Sequence, residues 1–265
     1  MPVSECGTSF DLAGPENAPP VVLIHGLGLN KETTWAAIAP VLAERYRVLS
    51  YDLFGHGASA LPLCEVSLTA LSGQLVALMD AVGLSRAALV GFSLGGMINR
   101  RVALDHPDRV SALGILNSPH ERPPDAQAMY ERQARQSAEG GPEATVDAAL
   151  QRWFTEDFRA TAPGVVAAVR AVVVANNATN YAAHRYVLAA GVTELIRPAP
   201  PIAVPGLVMT CENDSGSTPA MSWAIAGELR QAQVVIVPEL RHLGLVEQPA
   251  VFADAVLGFL DEVLG

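Results

Sequence analysis

Apolar residues along this chain come in two alternating kinds of run, short unbroken ones and longer ones spaced as on one face of a helix. Pro20-Val21-Val22-Leu23-Ile24 is an unbroken, β-branched run of the kind a strand covered on both faces requires. Residues 8–12 predict a strand before it. Residues 33–43 predict a helix with Trp35, Ile38 and Leu42 inward, and residues 46–53 a further strand. Ser67 can cap a helix in which Leu68, Leu71, Leu75, Leu78, Met79 and Val82 recur at helical spacing. The short run Ala88-Leu89-Val90 leads into Gly91-Phe92-Ser93-Leu94-Gly95-Gly96-Met97. The helix after it ends near Asp105-His106-Pro107, because proline cannot continue it. Residues 110–116 then form another strand.

From about Pro119 the alternation stops. Helical material runs to about residue 191 without a convincing core strand, and Pro198, Pro200, Pro201 and Pro205 mark the exit. A strand at 207–211, a helix at 219–230, a strand at 234–237 and a last helix from Pro249 complete the pattern. In that last helix Phe252, Val256, Phe259, Leu260 and Val263 share one face, and Pro249 suits its first turn. Strands alternating with helices imply an α/β fold, a mostly parallel sheet with helices on both sides. Residues 1–118 and 202–265 form the core, with a helical cap, 119–201, inserted after one strand. Residues on both sides of the insertion are needed to complete one sheet, which argues against two separate domains.

Composition narrows the function classes. With half of 265 residues apolar and 17% charged, the chain can bury a substantial core. A net charge of −10 argues against a nucleic-acid surface or an anionic membrane as partner. No uncharged apolar stretch reaches membrane-spanning length. Cys6, Cys64 and Cys211 are scattered, lack metal-ligand spacing and read as free thiols of a reducing compartment. The start, Met1-Pro2-Val3-Ser4-Glu5, lacks a secretory pattern, so a cytoplasmic protein is expected. The turn His25-Gly26-Leu27-Gly28 is no dinucleotide loop, since Lys31 and Glu32 stand where a third glycine is needed, and there is no Walker lysine pattern. A small-molecule substrate and no cofactor or metal are expected. The oligomeric state, monomer or homodimer, stays open.

The chemistry centres on Ser93. Gly-x-Ser-x-Gly between a strand and a helix is the sequence form of a nucleophile elbow, with Gly91 and Gly95 sparing collisions in the tight turn. A serine hydroxyl needs a base, and the base needs an orienting group. Of six histidines, only His242 follows the final core strand. The acid belongs between nucleophile and base in chain order, after a strand. Asp214 fits, 28 residues before His242; Glu212 is its rival, and Asn117 fills the other position where an acid could enter. Asp52 precedes the elbow and is read as a brace for the Gly55-His56-Gly57 turn. The backbone amides of Leu27 and Leu94 are the candidate oxyanion donors.

These residues, in this order, resemble the α/β-hydrolase superfamily over nearly the whole chain. Closer similarity to the 3-oxoadipate enol-lactonase branch rests on Ser93-Leu94-Gly95-Gly96-Met97, Arg152-Trp153-Phe154-Thr155 with Phe158, Asn180-Tyr181-Ala182-Ala183, and His242-Leu243 with Val246-Glu247-Gln248-Pro249. The chain departs from that branch at Gly244-Leu245, where a Ser-Asn pair is expected. The resemblance implies a cofactor-free serine hydrolase of a small, carboxylate-bearing ester or enol-lactone. It leaves open amide or carbon–carbon hydrolysis in ring-cleavage catabolism, and a ligand receptor built on the same scaffold. His25, Phe92, Trp153 and Leu243 are candidate pocket residues, Trp153 being equally readable as a core aromatic of the cap. Arg122, Arg132, Arg135, Arg152, Arg159, Arg170 and Arg185 are the cap arginines from which a carboxylate clamp would be drawn.

Overall fold

The computed structural model describes residues 2–136 and 140–265; residues 137–139 of the expected cap lie outside the described residues. One seven-stranded sheet runs through the molecule. Its strands are β1 (Phe10–Ala13), β2 (Pro20–Ile24), β3 (Arg47–Tyr51), β4 (Ala87–Phe92), β5 (Val110–Leu116), β6 (Gly206–Cys211) and β7 (Ala232–Val237). Their spatial order is β1-β3-β2-β4-β5-β6-β7, with β1 antiparallel to β3 and the remaining pairs parallel. The chain builds outward from β2 to β3, then crosses back to place β4 on the other side of β2. That reversal opens a crevice beyond the carboxyl ends of β2 and β4, where open α/β sheets bind ligands.

Successive strand residues face opposite sides of the sheet, and each side has its own apolar layer. In β2, Val21 and Leu23 pack on one side with Trp35, Ile38, Leu42, Phe252 and Val256. Val22 and Ile24 pack on the other with Leu71, Leu75, Ile98 and Val102. The first layer is roofed by α1 (Lys31–Trp35), α2 (Ala39–Ala43) and the C-terminal helix Pro249–Leu264. The second is roofed by α3 (Leu68–Ala81) and α4 (Leu94–Asp105). Ser67 Oγ caps α3 by accepting from Ala70 N at 3.1 Å.

Between β5 and β6 come α5 (Pro124–Gln136), α6 (Glu143–Trp153), α7 (Glu156–Thr161), α8 (Pro163–Val174) and α9 (Ala178–Ala190), with no sheet strand among the described residues there. The core then closes through α10 (Pro219–Ala226), α11 (Gly244–Glu247) and α12, the C-terminal helix. Two local expectations differ. The helix expected over 33–43 is broken between Trp35 and Ala39, because Pro40 cannot donate and its ring clashes one turn back. Its three inward residues are nonetheless buried. The short helix α11, directly after His242-Leu243, has no counterpart in the expected pattern. Among the described residues no helix is long and apolar enough to cross a membrane.

Candidate active site

Ser93 sits between β4 and α4 with φ 54° and ψ −110°, in the positive-φ region that costs a non-glycine residue roughly 1–3 kcal/mol. The turn holds it there through Ser93 N to Leu116 O at 2.8 Å and Gly96 N to Ser93 O at 3.0 Å. A side chain on Gly91 would run into the Gly95 carbonyl, and one on Gly95 into the Ile24 carbonyl at the end of β2. Glycine is therefore demanded by two backbones crossing at close range.

His242 Nε2 lies 3.2 Å from Ser93 Oγ, and His242 Nδ1 lies 2.6 Å from Asp214 Oδ2. With Nδ1–H donating to the carboxylate, Nε2 is free to accept from the serine hydroxyl. The buried Asp214 also accepts from Asn117 Nδ2 at 2.9 Å on Oδ2, and from Gly216 N and Ser217 N, both at 2.9 Å, on Oδ1. Burial alone would raise its pKa. The imidazole of His242 and the hydrogen bonds from His242, Asn117 and the Ser217 amide outweigh burial, so its carboxyl is held below the usual carboxylate range. The rival Glu212 is exposed and accepts from Glu239 N at 2.9 Å. Asp52 accepts from Lys31 N at 2.9 Å and Ala58 N at 3.0 Å, tying the loop after β2 to the Gly55-His56-Gly57 turn.

The Leu27 loop lies against the elbow, for a Cβ on Gly26 would stand 3.2 Å from Ser93 Cβ. Neither the Leu27 nor the Leu94 amide donates to another part of the protein among the described residues. His56 Nε2 accepts from Gly28 N at 3.1 Å and so fixes the far side of this loop.

A cavity of about 290 Å³ opens over Ser93, at the small end of ligand pockets. Ser93, Leu27 and His242 form its floor, and Arg122, Tyr130, Trp153, Tyr181 and Arg185 stand on the cap side. Trp153 thus lines the cavity, and its ring centroid is 6.3 Å from that of His242. Its carbonyl accepts from Leu243 N at 2.8 Å, tying the cap to the residue after His242.

Three expected pocket residues do not line this cavity. His25 is fully buried, with Nδ1 donating to Gly26 O at 2.8 Å and Nε2 accepting from Leu53 N at 2.9 Å, so both ring nitrogens are engaged. Phe92 packs beneath, its ring 5.0 Å from that of His242, and Leu243 is buried in the same apolar layer. Of the seven candidate arginines, Arg122, Arg152 and Arg185 reach the cavity. Asn117, which in the sequence marks only a place without an acid, donates to Asp214 on the neighbouring strand's loop. The signal that could have found it is its position at the carboxyl end of β5. Among the described residues no group of three or more His, Cys, Asp or Glu could hold a metal ion.

A family model described as alpha/beta hydrolase fold matches residues 19–249. The enol-lactonase from Burkholderia xenovorans LB400 superposes with a TM-score of 0.84 at 31% identity, covering 96% of each chain. A thermophilic esterase from Thermogutta terrifontis, solved with malate bound, gives 0.86 at 26% identity, covering 97% of this chain and 94% of that one. The (E)-2-((N-methylformamido)methylene)succinate hydrolase of Acinetobacter baylyi is 26% identical over 247 residues, 91% of this chain and 90% of its own. With the family model spanning β2 to β7, the elbow and the histidine loop together, the chain belongs to the α/β-hydrolase family.

Proposed function

We propose that this protein is a cofactor-free serine hydrolase that opens a small, carboxylate-bearing ester or enol-lactone through an acyl-enzyme. Ser93 Oγ attacks the carbonyl while His242 Nε2 takes its proton. Asp214 holds the imidazole in the required tautomer and stabilises the imidazolium that forms. The amides of Leu27 and Leu94 receive the oxyanion, at the positive end of α4. The imidazolium returns its proton to the leaving oxygen, and His242 then activates water against the acyl-enzyme. The observation that carries this reading is the unbroken chain of contacts from Ser93 Oγ through His242 to Asp214, at 3.2 and 2.6 Å. Two likenesses support an acidic substrate: one relative is named for a succinate, and one structural neighbour was solved with malate bound. The same relative's name, with its N-methylformamido group, favours an amide as the second reading. That route uses the same residues, with the imidazolium protonating nitrogen.

Replacing Ser93 by alanine tests the reading. A fluorophosphonate probe labels the parent protein at Ser93 and leaves Ser93→Ala unlabelled. Turnover of an activated ester falls by about 10³-fold or more, because only the oxyanion donors remain. Parent-level turnover in a folded Ser93→Ala protein overturns the mechanism.

A further inference from the structure

Arg122 departs from the usual pattern of arginines in folded proteins. It is 8% exposed and lines the cavity over Ser93, yet no carboxylate of the protein pairs with it among the described residues. Its guanidinium carbon lies 4.4 Å from the centroid of the Tyr130 ring, and Nη1 donates to Gln127 Oε1 at 3.3 Å. Gln127 is itself fixed, donating from Nε2 to Ala189 O at 2.7 Å. Burial lowers the guanidinium's pKa, with the Tyr130 side chain acting in the opposite direction. A buried cation without an anion is costly, and such a group is completed by whatever enters beside it.

The rest of the cavity has the same sign. Arg152 and Arg185 also line it, and Asp214, whose oxygens already accept four hydrogen bonds, is the one carboxylate among its lining residues. A positive chamber in a protein of net charge −10 is a local selection for anions, and low-dielectric walls strengthen it.

Arg122 is also fixed relative to the reacting atoms. It ends a strap, residues 117–122, that leaves β5 and is fastened to its surroundings at nearly every step. Asn117 N donates to Met209 O at 2.7 Å and Asn117 Nδ2 to Asp214. The buried Arg100 donates from Nη2 to Ser118 Oγ at 3.3 Å and to Pro119 O at 2.8 Å. His120 Nε2 meets Glu228 Oε1 at 3.0 Å, and Glu121 pairs with Arg197 at 2.6 Å. The residue that supports Asp214 and the unpaired guanidinium are thus two ends of one braced segment, the preorganisation a binding site needs.

We propose that Arg122 anchors a substrate carboxylate remote from the bond that is cut, so that the preferred substrates are short monoesters or lactones of dicarboxylic acids. This rests on Ser93 being the nucleophile of the proposed function. Other esters enter the cavity without completing the guanidinium.

Two near-isosteric esters measure the anchor: 4-nitrophenyl hemisuccinate and 4-nitrophenyl butyrate, which differ by a carboxylate in place of a terminal methyl. The readout is the ratio of their kcat/KM values. In Arg122→Met this ratio falls about 30- to 100-fold, the scale of a charge-assisted contact, whatever loss the two substrates share. Arg122→Lys retains part of the ratio, lacking the planar fork. The surface variant Arg170→Met leaves it unchanged. A ratio unaltered in Arg122→Met, or lost instead in Arg152→Met or Arg185→Met, overturns the assignment. Should Arg122→Met not fold, the parent protein decides: succinate slows fluorophosphonate labelling of Ser93 and butyramide at equal concentration does not, and equal protection overturns the proposal. Absence of any labelling removes the serine-hydrolase reading instead, and calorimetric titration of succinate into the protein then decides the anchor alone.

Discussion

The two sides of the cavity are built on different terms. On the sheet side Ser93, His242 and Asp214 are matched to one another, with Asp214 taking four donors and the elbow held by backbone hydrogen bonds, while the Leu27 and Leu94 amides stand open. On the cap side the polar groups are left incomplete, with a buried guanidinium resting on a ring and an amide. The open amides on the sheet side are neutral dipoles, whereas the cap side holds a full buried charge, so an anionic ligand completes the cap side most. The contrast separates chemistry, which must be preorganised before substrate arrives, from selection, which leaves an interaction for the substrate to make.

The largest effect is expected on the sheet side. Asp214→Asn preserves shape but removes the charge that fixes the His242 tautomer. A drop of about 10⁴ in kcat is expected, with much smaller change in KM, on the scale such a loss carries elsewhere. Steady-state kinetics on 4-nitrophenyl butyrate will read it. A loss below tenfold would mean that the carboxylate does not orient the base.

Next in size is an effect on stability at the joint between the sides. His25 and His56 come from core loops and His184 from α9 in the cap. The ring centroids of His25 and His56 are 5.4 Å apart, and those of His56 and His184 are 4.6 Å apart. Burial lowers the pKa of all three, and that of His184 is brought down to about 4. Each is therefore neutral in the folded protein at pH values where the unfolded chain takes up a proton. By linkage, stability falls as the pH drops below the ordinary histidine value of about 6.5, and for His184 the loss is complete near pH 4. That shift corresponds to roughly 3 kcal/mol for His184 across the window. Urea denaturation at steps from pH 7.5 to 4.5 should show it, and His184→Gln should flatten the slope. An unchanged slope in that variant would exclude the joint as the acid-sensitive element.

How much of this could be read from the amino-acid order follows the same division. Gly91, Ser93 and Gly95 answer to backbone collisions, and Asp214 and His242 answer to chain order around one sheet, so spacing alone brings them together. The break near Pro40 escapes that reading, because the expected helix over 33–43 runs through a proline that ends a helical pattern. Arg122 cannot be told by spacing from the other cap arginines. Its distinction is burial against Tyr130 and Gln127, a property of how α5 meets α9 that no spacing encodes. His25 and Leu243 mislead for the converse reason: adjacency in sequence to Leu27 and to His242 puts them beside the site, while their side chains turn into the packed layers beneath it.

The smallest effect tests whether the two sides are separable at Asn117, where they meet. Its φ of 46° is one glycine adopts readily, so Asn117→Gly removes the amide without adding backbone strain. The change deletes one charge-assisted hydrogen bond to Asp214 and leaves the donors His242, Gly216 and Ser217 in place. A loss of about tenfold in kcat is expected, roughly 1.4 kcal/mol, at the lower end for a hydrogen bond to a charge. The strap persists, since Asn117 N still reaches Met209 O and Arg100 still holds Pro119 O. The hemisuccinate-to-butyrate ratio should therefore stay where it is while both rates fall together. If the ratio collapses with kcat, the brace under the acid and the anchor on the cap side are one mechanical unit, and the division between chemistry and selection does not hold at this residue.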